Sequence, residues 1–310
     1  LTEQAGGHSG TGGAATDGHP SGGAEVDATG GTNATGGTNA TGGTNATGGT
    51  NATSNASLVQ GGTGGTGSEM VQRGGAGGAG GAGGSGTVAY SPCPTDGSAC
   101  KILPFGDSIT RGVKSSDDAG YRSQLFKLIV AAKQKVSFTG SLTNGPTQVS
   151  TQPFPRSHEG HPGWTIDSGY NPISSSYRGI SSLVPSPALD GKPNIILLHI
   201  GTNDLFARDA VHMATRLEAL IDKIAQNAPN ALVVLAQITP LSSSSPARDA
   251  YNAEIPRIIR SHAAKGQHII GVDMSKLPLS ELKDGTHPND RGYAYMAGIW
   301  YTVIKDLLPR

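Results

Sequence analysis

Residues 1–86 set the limit on what this chain can fold into. The hexapeptide GGTNAT recurs with period six from Gly30 to Thr53, and GGAGGAGGAGGSG fills Gly74–Gly86. Gly, Thr, Ala, Asn and Ser dominate, charges are few, and large apolar side chains are almost absent. A period of six can mark a β-solenoid, but a solenoid stacks apolar residues into a core, and this repeat has none to stack. Such a segment cannot bury enough apolar surface to offset the entropy of ordering it. The composition therefore predicts a disordered, flexible tether over 1–86. Asn33, Asn39, Asn45, Asn51 and Asn55 each head an Asn-x-Ser/Thr sequon, an acceptor for glycan where the host has that machinery. Roughly 220 residues, 87–310, remain for one well-cored domain.

From Thr87 onward, strand and helix signals alternate. Lys101–Phe105 reads as a first strand and Val136–Thr139 as a short second. Asn194–Ile200 (NIILLHI) and Ala231–Ile238 are continuous apolar runs, the mark of strands covered on both faces. His268–Val272 reads as a fifth. Between them, Tyr121–Lys135 and Ala210–Asn227 carry apolar residues at helical spacing. Ala247–Ala264 is a further helix in which Pro256 predicts a kink, and Asn289–Leu308 a closing one. Such alternation predicts a parallel sheet with helices on both faces, whose ligands bind beyond the carboxyl ends of the strands.

Three polar islands fall at those ends. Gly106-Asp107-Ser108 follows the first strand, GTND (Gly201–Asp204) the third, and DGTHP (Asp284–Pro288) the fifth. Together they supply what acyl transfer needs. A Ser hydroxyl is a poor nucleophile until a base takes its proton. His287 is the candidate base for Ser108. Asp284, three residues earlier, is placed to hold the other imidazole nitrogen. The oxyanion donors would be the Ser108 backbone N–H, the Asn203 side-chain amide and a third backbone N–H. HEGHPGWTID (His158–Asp167) offers Gly163, where backbone can approach a ligand. Trp164 and Tyr170 are candidate sugar-binding aromatics.

Each residue taken alone has a plainer reading. Ser108 would serve as a helix N-cap, His287 as a loop histidine and His199 as a core histidine. Asp107 would be a turn residue, and Asp204 would orient the Asn203 loop. HEGH is not the H-E-x-x-H of zinc enzymes, and Gly160 and Pro162 oppose the helix that would align its ligands; no metal is expected.

GDSIT, the Gly before Trp164, GTND and DGTH resemble, in order, the four blocks of the SGNH (GDSL) hydrolase superfamily, over roughly residues 100–308. The resemblance implies a flavodoxin-like three-layer α/β/α sandwich with a five-stranded parallel sheet of order 2-1-3-4-5. It also implies a nucleophile at Ser108, an acid at Asp284 and a base at His287. The oxyanion hole would be Ser108, Gly163 and Asn203, and no cofactor would be used. The nucleophile does not sit in the G-x-S-x-G elbow of α/β-hydrolases. KILPFGDSITRG and HEGHPGWTID are further similar to secreted members of carbohydrate esterase family three, which are acetyl xylan esterases; that family usually has Ser where this chain has Pro162.

The expected activity is thus a serine esterase that removes acetyl groups from a plant polysaccharide or oligosaccharide, xylan foremost. The alternatives are a lipid-directed GDSL esterase or lysophospholipase, and, in a different class, a non-catalytic carbohydrate-binding module. Net charge is zero, which gives no basic footprint for nucleic acid. The longest apolar runs, Ile195–Leu198 and Ala231–Ala236, are too short to span a bilayer. The two cysteines, Cys93 and Cys100, enclose a turn-forming PTDGSA segment. We read them as a disulfide closing a small loop, the alternative being two buried thiols; C-x-x-C spacing is absent. The linker composition and the disulfide together suggest an extracellular protein, secreted or surface-displayed, with an upstream module or anchor as one option for what the tether joins.

Overall fold

The computed structural model describes residues 90–170, 178–206 and 210–310. The expected tether and its sequons lie outside the described residues. In chain order the strands are β1 (Cys100–Asp107), β2 (Val136–Phe138), β3 (Leu142–Thr143), β4 (Gln148–Val149), β5 (Gln152–Pro153), β6 (Ser157–His161), β7 (Ile195–His199), β8 (Leu232–Gln237) and β9 (Ile269–Asp273). The helices are α1 (Ser108–Arg111), α2 (Tyr121–Ala131), α3 (Met213–Asn227), α4 (Pro246–Ala264) and α5 (Asp290–Ile304).

The fold is an α/β sheet packed between helices. β1, β7, β8 and β9 run parallel in that order, and β2 and β6 both pair parallel to β1 on its other side. The sheet has seven strands rather than the five expected. The reason is length. β2 reaches only Cys100–Ile102 of the eight-residue β1, and β6 takes up Phe105–Asp107 beyond it. β3 then adds antiparallel to β6. The sequence of β6, SHEGH, carries none of the apolar signal that marks the other strands.

Period-two alternation divides the core. Ile102, Ile195, Leu197, Leu232 and Val234 face one side, against Leu125 and Ile129 of α2 and Tyr293, Met296 and Trp300 of α5. Leu103, Phe105, Ile196, Leu198, Val233 and Leu235 face the other, against Leu217, Leu220 and Ile224 of α3 and Ile255 and Ile258 of α4. Trp300 is fully buried; truncation of such a side chain costs about 3–5 kcal/mol.

The helices stop where local chemistry stops them. α2 ends at Ala131, short of Lys135, because Lys133 adopts a left-handed backbone (φ 55°). α5 starts at Asp290 because Asn289 caps it, accepting N–H bonds from Arg291 and Gly292. α4 contains Pro256 within its span. Cys93 and Cys100 are joined in a disulfide, both buried in the α2/α5 core, which fastens the chain around Cys93 to the start of β1. Among the described residues no helix is long and apolar enough to cross a membrane.

Candidate active site

β1 is buried along its length except at exposed Lys101, and the chain passes from it straight into α1 at Ser108. Gly106 is required there, since a Cβ would lie 2.0 Å from His199 O and 2.6 Å from Thr110 Oγ1. Asp107 caps α1 by accepting the Ile109 N–H at 2.9 Å. The cap is therefore Asp107, and the Ser108 hydroxyl is left for other work. Ser108 opens α1, whose first N–H groups have no acceptor within the helix.

His287 Nε2 lies 2.8 Å from Ser108 Oγ, across 179 residues of sequence. Its Nδ1 lies 3.0 and 3.2 Å from Asp284 Oδ2 and Oδ1. The loop carrying this pair is fixed from several sides. Asp284 Oδ1 accepts the N–H groups of Thr286 and His287. Lys283 N–H donates to His287 O, and Gly285 O accepts from Ser242 N–H beyond β8. Partial burial raises the Asp284 pKa, but the His287 backbone N–H, the His287 ring and the Thr286 N–H outweigh it and hold the carboxyl below the ordinary range. Lys114 Nζ is 3.9 Å away. An ionised Asp284 keeps the imidazole proton on Nδ1, which leaves the Nε2 lone pair facing the Ser108 hydroxyl. The arrangement is able to take a proton from Ser108 and return it elsewhere.

The third island arrives on β7. Asn203 opens a short 3₁₀ turn, Asn203–Phe206. Its Nδ2 donates to Trp164 O at 2.8 Å; an amide nitrogen has two hydrogens to give. Asp204 accepts Ile166 N–H at 3.0 Å on one oxygen and Arg216 Nη2 at 3.3 Å on the other. Two consecutive residues of GTND thus clamp the segment after Gly163, which itself is left-handed (φ 79°). The Asp204 carboxylate thus ties its loop to the Trp164–Ile166 segment and to α3.

Two buried carboxyls lie beneath the serine. Burial pushes the Asp107 pKa up to about 7, with the Asp204 charge adding to it and the Ile109 N–H opposing. Burial likewise raises Asp204 to about 6, against the Ile166 N–H and Arg216. The Thr202 hydroxyl beside the Asp107 carboxyl also opposes the Asp107 rise, although neither Asp107 Oδ2 nor Thr202 Oγ1 makes a hydrogen bond of ordinary geometry. His199 is a fully buried core histidine, and burial lowers it to about 4.

Of the candidate aromatics, Trp164 is partly buried and lies tilted at 31° against His161 with ring centroids 4.3 Å apart. Tyr170 carries the Arg216 guanidinium 3.9 Å from its ring centroid, so that face is covered from within the protein. Arg216 was legible in principle. It sits in the apolar stripe of α3 between Met213 and Leu220, where a charge needs a buried partner. HEGH forms β6, and His158 and His161, three apart on a strand, point to opposite faces. That geometry does not gather them on one ligand.

Residues 105–295 match the GDSL-like lipase/acylhydrolase family. Among curated proteins, a multidomain esterase of Ruminococcus flavefaciens is 29% identical over 228 residues, covering 67% of this chain and 29% of that protein. A putative endoglucanase X of Acetivibrio thermocellus is 34% identical over 120 residues, covering 37% of this chain and 52% of that protein. The chain thus spans about a third and about half of these two relatives. Among solved structures, a Clostridium thermocellum family 3 carbohydrate esterase superposes with a TM-score of 0.55 at 32% identity. The match covers 67% of this chain and 97% of that one.

Proposed function

The chain belongs to the GDSL-like lipase/acylhydrolase family, and on that premise we propose that it is a serine esterase that removes O-acetyl groups from a plant polysaccharide, xylan foremost. The observation that carries this is the relay Ser108 Oγ···His287 Nε2 (2.8 Å) and His287 Nδ1···Asp284 (3.0 Å) at the carboxyl end of the sheet. Ser108 Oγ attacks the acetyl carbonyl as its proton passes to His287 Nε2, and Asp284 stabilises the imidazolium. The tetrahedral oxyanion is met by the Ser108 N–H, the second Asn203 amide hydrogen and the backbone at Gly163. Collapse breaks the bond to the sugar oxygen, which leaves with the proton from His287. Water then attacks the acetyl-serine by the same steps in reverse, releasing acetate and restoring the hydroxyl.

The substrate class rests on the likeness to the family 3 carbohydrate esterase over nearly that whole chain. Trp164 at the site adds an aromatic body suited to a pyranose face. In this reading 87–310 is the esterase domain and 1–86 its tether. The Cys93–Cys100 disulfide supports a secreted or surface-displayed protein. Acetate release from acetylated xylan, mannan, pectin, chitin oligomers and peptidoglycan tests the substrate. Fluorophosphonate labelling tests the nucleophile, with the adduct expected on Ser108; an adduct on another serine would sink the assignment. Exposed Phe206, three residues after Asn203, favours a second reading, an apolar acyl chain. A p-nitrophenyl ester series that peaks beyond acetate would select it.

A further inference from the structure

HEGH is the one motif that the proposed chemistry does not absorb, and its side chains are placed for a task. Glu159 is wholly buried. One of its oxygens accepts the Ser141 N–H, and the other lies 2.7 Å from His161 Nε2. β6 pairs with β1 so that His161 stands opposite Asp107, one residue before Ser108. The His161 ring packs tilted against Trp164, and the Trp164 N–H donates to His161 O at 3.1 Å. Residues 161–164 thus form a tight turn carrying Gly163. Its far side is held by Asn203 on Trp164 O and by Asp204 on Ile166 N–H. Its near side is held by the Glu159–His161 pair.

We propose that Glu159 and His161 act as one positioning unit, in which the buried carboxylate orients the imidazole and the imidazole, through Trp164, sets the turn that carries Gly163. Neither group exchanges a proton with substrate. Buried charge has a cost that only partners repay, and here both Glu159 oxygens are engaged, one on β6's neighbour and one on the turn. The consequence is an oxyanion loop clamped between two strand ends, with Asn203 on one and His161 on the other. This inference rests on the esterase reading for its kinetic arm alone.

The test uses Glu159→Gln, which leaves only one acceptor oxygen for two donors, and His161→Phe, which keeps a ring against Trp164 and removes the bond to Glu159. A misplacement of about 1 Å at a reacting centre costs about 10²-fold in rate. Each variant is expected to lower kcat on p-nitrophenyl acetate by about that factor, with KM nearly unchanged. The double variant should be no slower than His161→Phe, because one unit cannot be removed twice. Losses that multiply, losses confined to KM, or wild-type rates would overturn the proposal. Wild-type protein without esterase activity would instead overturn the proposed function. In that case the Trp164 indole N–H resonance, told from that of Trp300 by Trp164→Phe, decides the unit. It should move in Glu159→Gln, and an unmoved signal refutes the link.

Discussion

Asp284 and Asp107 both sit near the serine but in opposite environments. The Asp284 side chain is about a third exposed (34%) and accepts the N–H groups of Thr286 and His287 as well as the His287 ring. Asp107 is wholly buried, caps α1 through one oxygen and has only the Thr202 hydroxyl beside it to oppose the cost of burial further. One carboxyl is held below the ordinary aspartate range and the other is raised to about 7. The contrast separates two jobs that share a residue type. In the proposed mechanism Asp284 must be an anion, because it stabilises the positive charge that would form on His287. Asp107 needs only an acceptor for Ile109 N–H and a shape that fits, and a neutral acid supplies both.

The largest effect should come from neutralising the anionic member. Asp284→Asn keeps the size and the turn, but an amide nitrogen facing His287 Nδ1 favours the wrong tautomer. The comparable change in the serine-protease triad costs roughly 10⁴-fold in kcat, and a loss of that order is expected here, with the melting temperature little changed. A loss under tenfold would mean that His287 is oriented without Asp284.

Asn203→Ala should follow, at roughly 10²–10³ in kcat for one oxyanion donor. Because Asn203 also holds Trp164 O, part of the loss is misplacement of the turn. Changes in KM should stay small, since ground-state binding uses other groups. A variant that is merely unstable, with wild-type kcat, would reduce Asn203 to a loop anchor.

Asp107→Asn should change kcat only a few-fold near neutrality. The Asn oxygen still accepts Ile109 N–H, and its amide can donate toward Thr202 Oγ1. Asp107→Ala, by contrast, removes the cap, at a cost of about 1 kcal/mol. A collapse of activity in Asp107→Asn would make Asp107 an anion in function and end the contrast with Asp284.

The same division explains what the sequence discloses. The continuous apolar runs of β7 and β8 and the three polar islands are visible because their signals are local: a run of apolar residues, or a motif directly after it. β6 is invisible because its signal is polar. SHEGH becomes a strand through the unpaired end of β1, a fact about β1's length rather than about residues 157–161. Asp107 reads as a turn residue and Asp204 as a loop-orienting one, but Asp107 ends β1 and caps α1, and Asp204 reaches out to Ile166 and Arg216. Their burial depends on strands and helices far away in sequence, including Arg216 of α3. Ser108 as an N-cap fails for a similar reason: its neighbour Asp107 takes the cap, and the partner of its hydroxyl lies 179 residues on.

The smallest effect lies in stability against pH, where the two carboxyls should show opposite signs. Asp107 is raised from 3.8 to about 7 on folding, so between about pH 4 and pH 7 the folded chain keeps a proton that the unfolded chain releases. Stability then falls as pH rises across that window. Asp204, raised to about 6 by its burial, contributes in the same direction. Asp284 is lowered on folding; its contribution is present above the unfolded value and is lost as pH falls through the lowered one. Asp107→Asn removes a titration of the first kind, so its melting temperature relative to wild type should climb from pH 4 to pH 7 and level off above. Asp284→Asn removes one of the second kind, so its relative melting temperature should drop as pH rises through the lowered value toward the unfolded one and then hold. Calorimetry on the two variants over pH 3–8 in matched salt reads both. Asp204 keeps a residual slope in Asp107→Asn, so the comparison is between differences from wild type and not between raw curves. If the Asp107→Asn difference is flat across pH 4–7, Asp107 is ionised in the folded chain, and the buried carboxyl that differs from Asp284 is Asp204 alone.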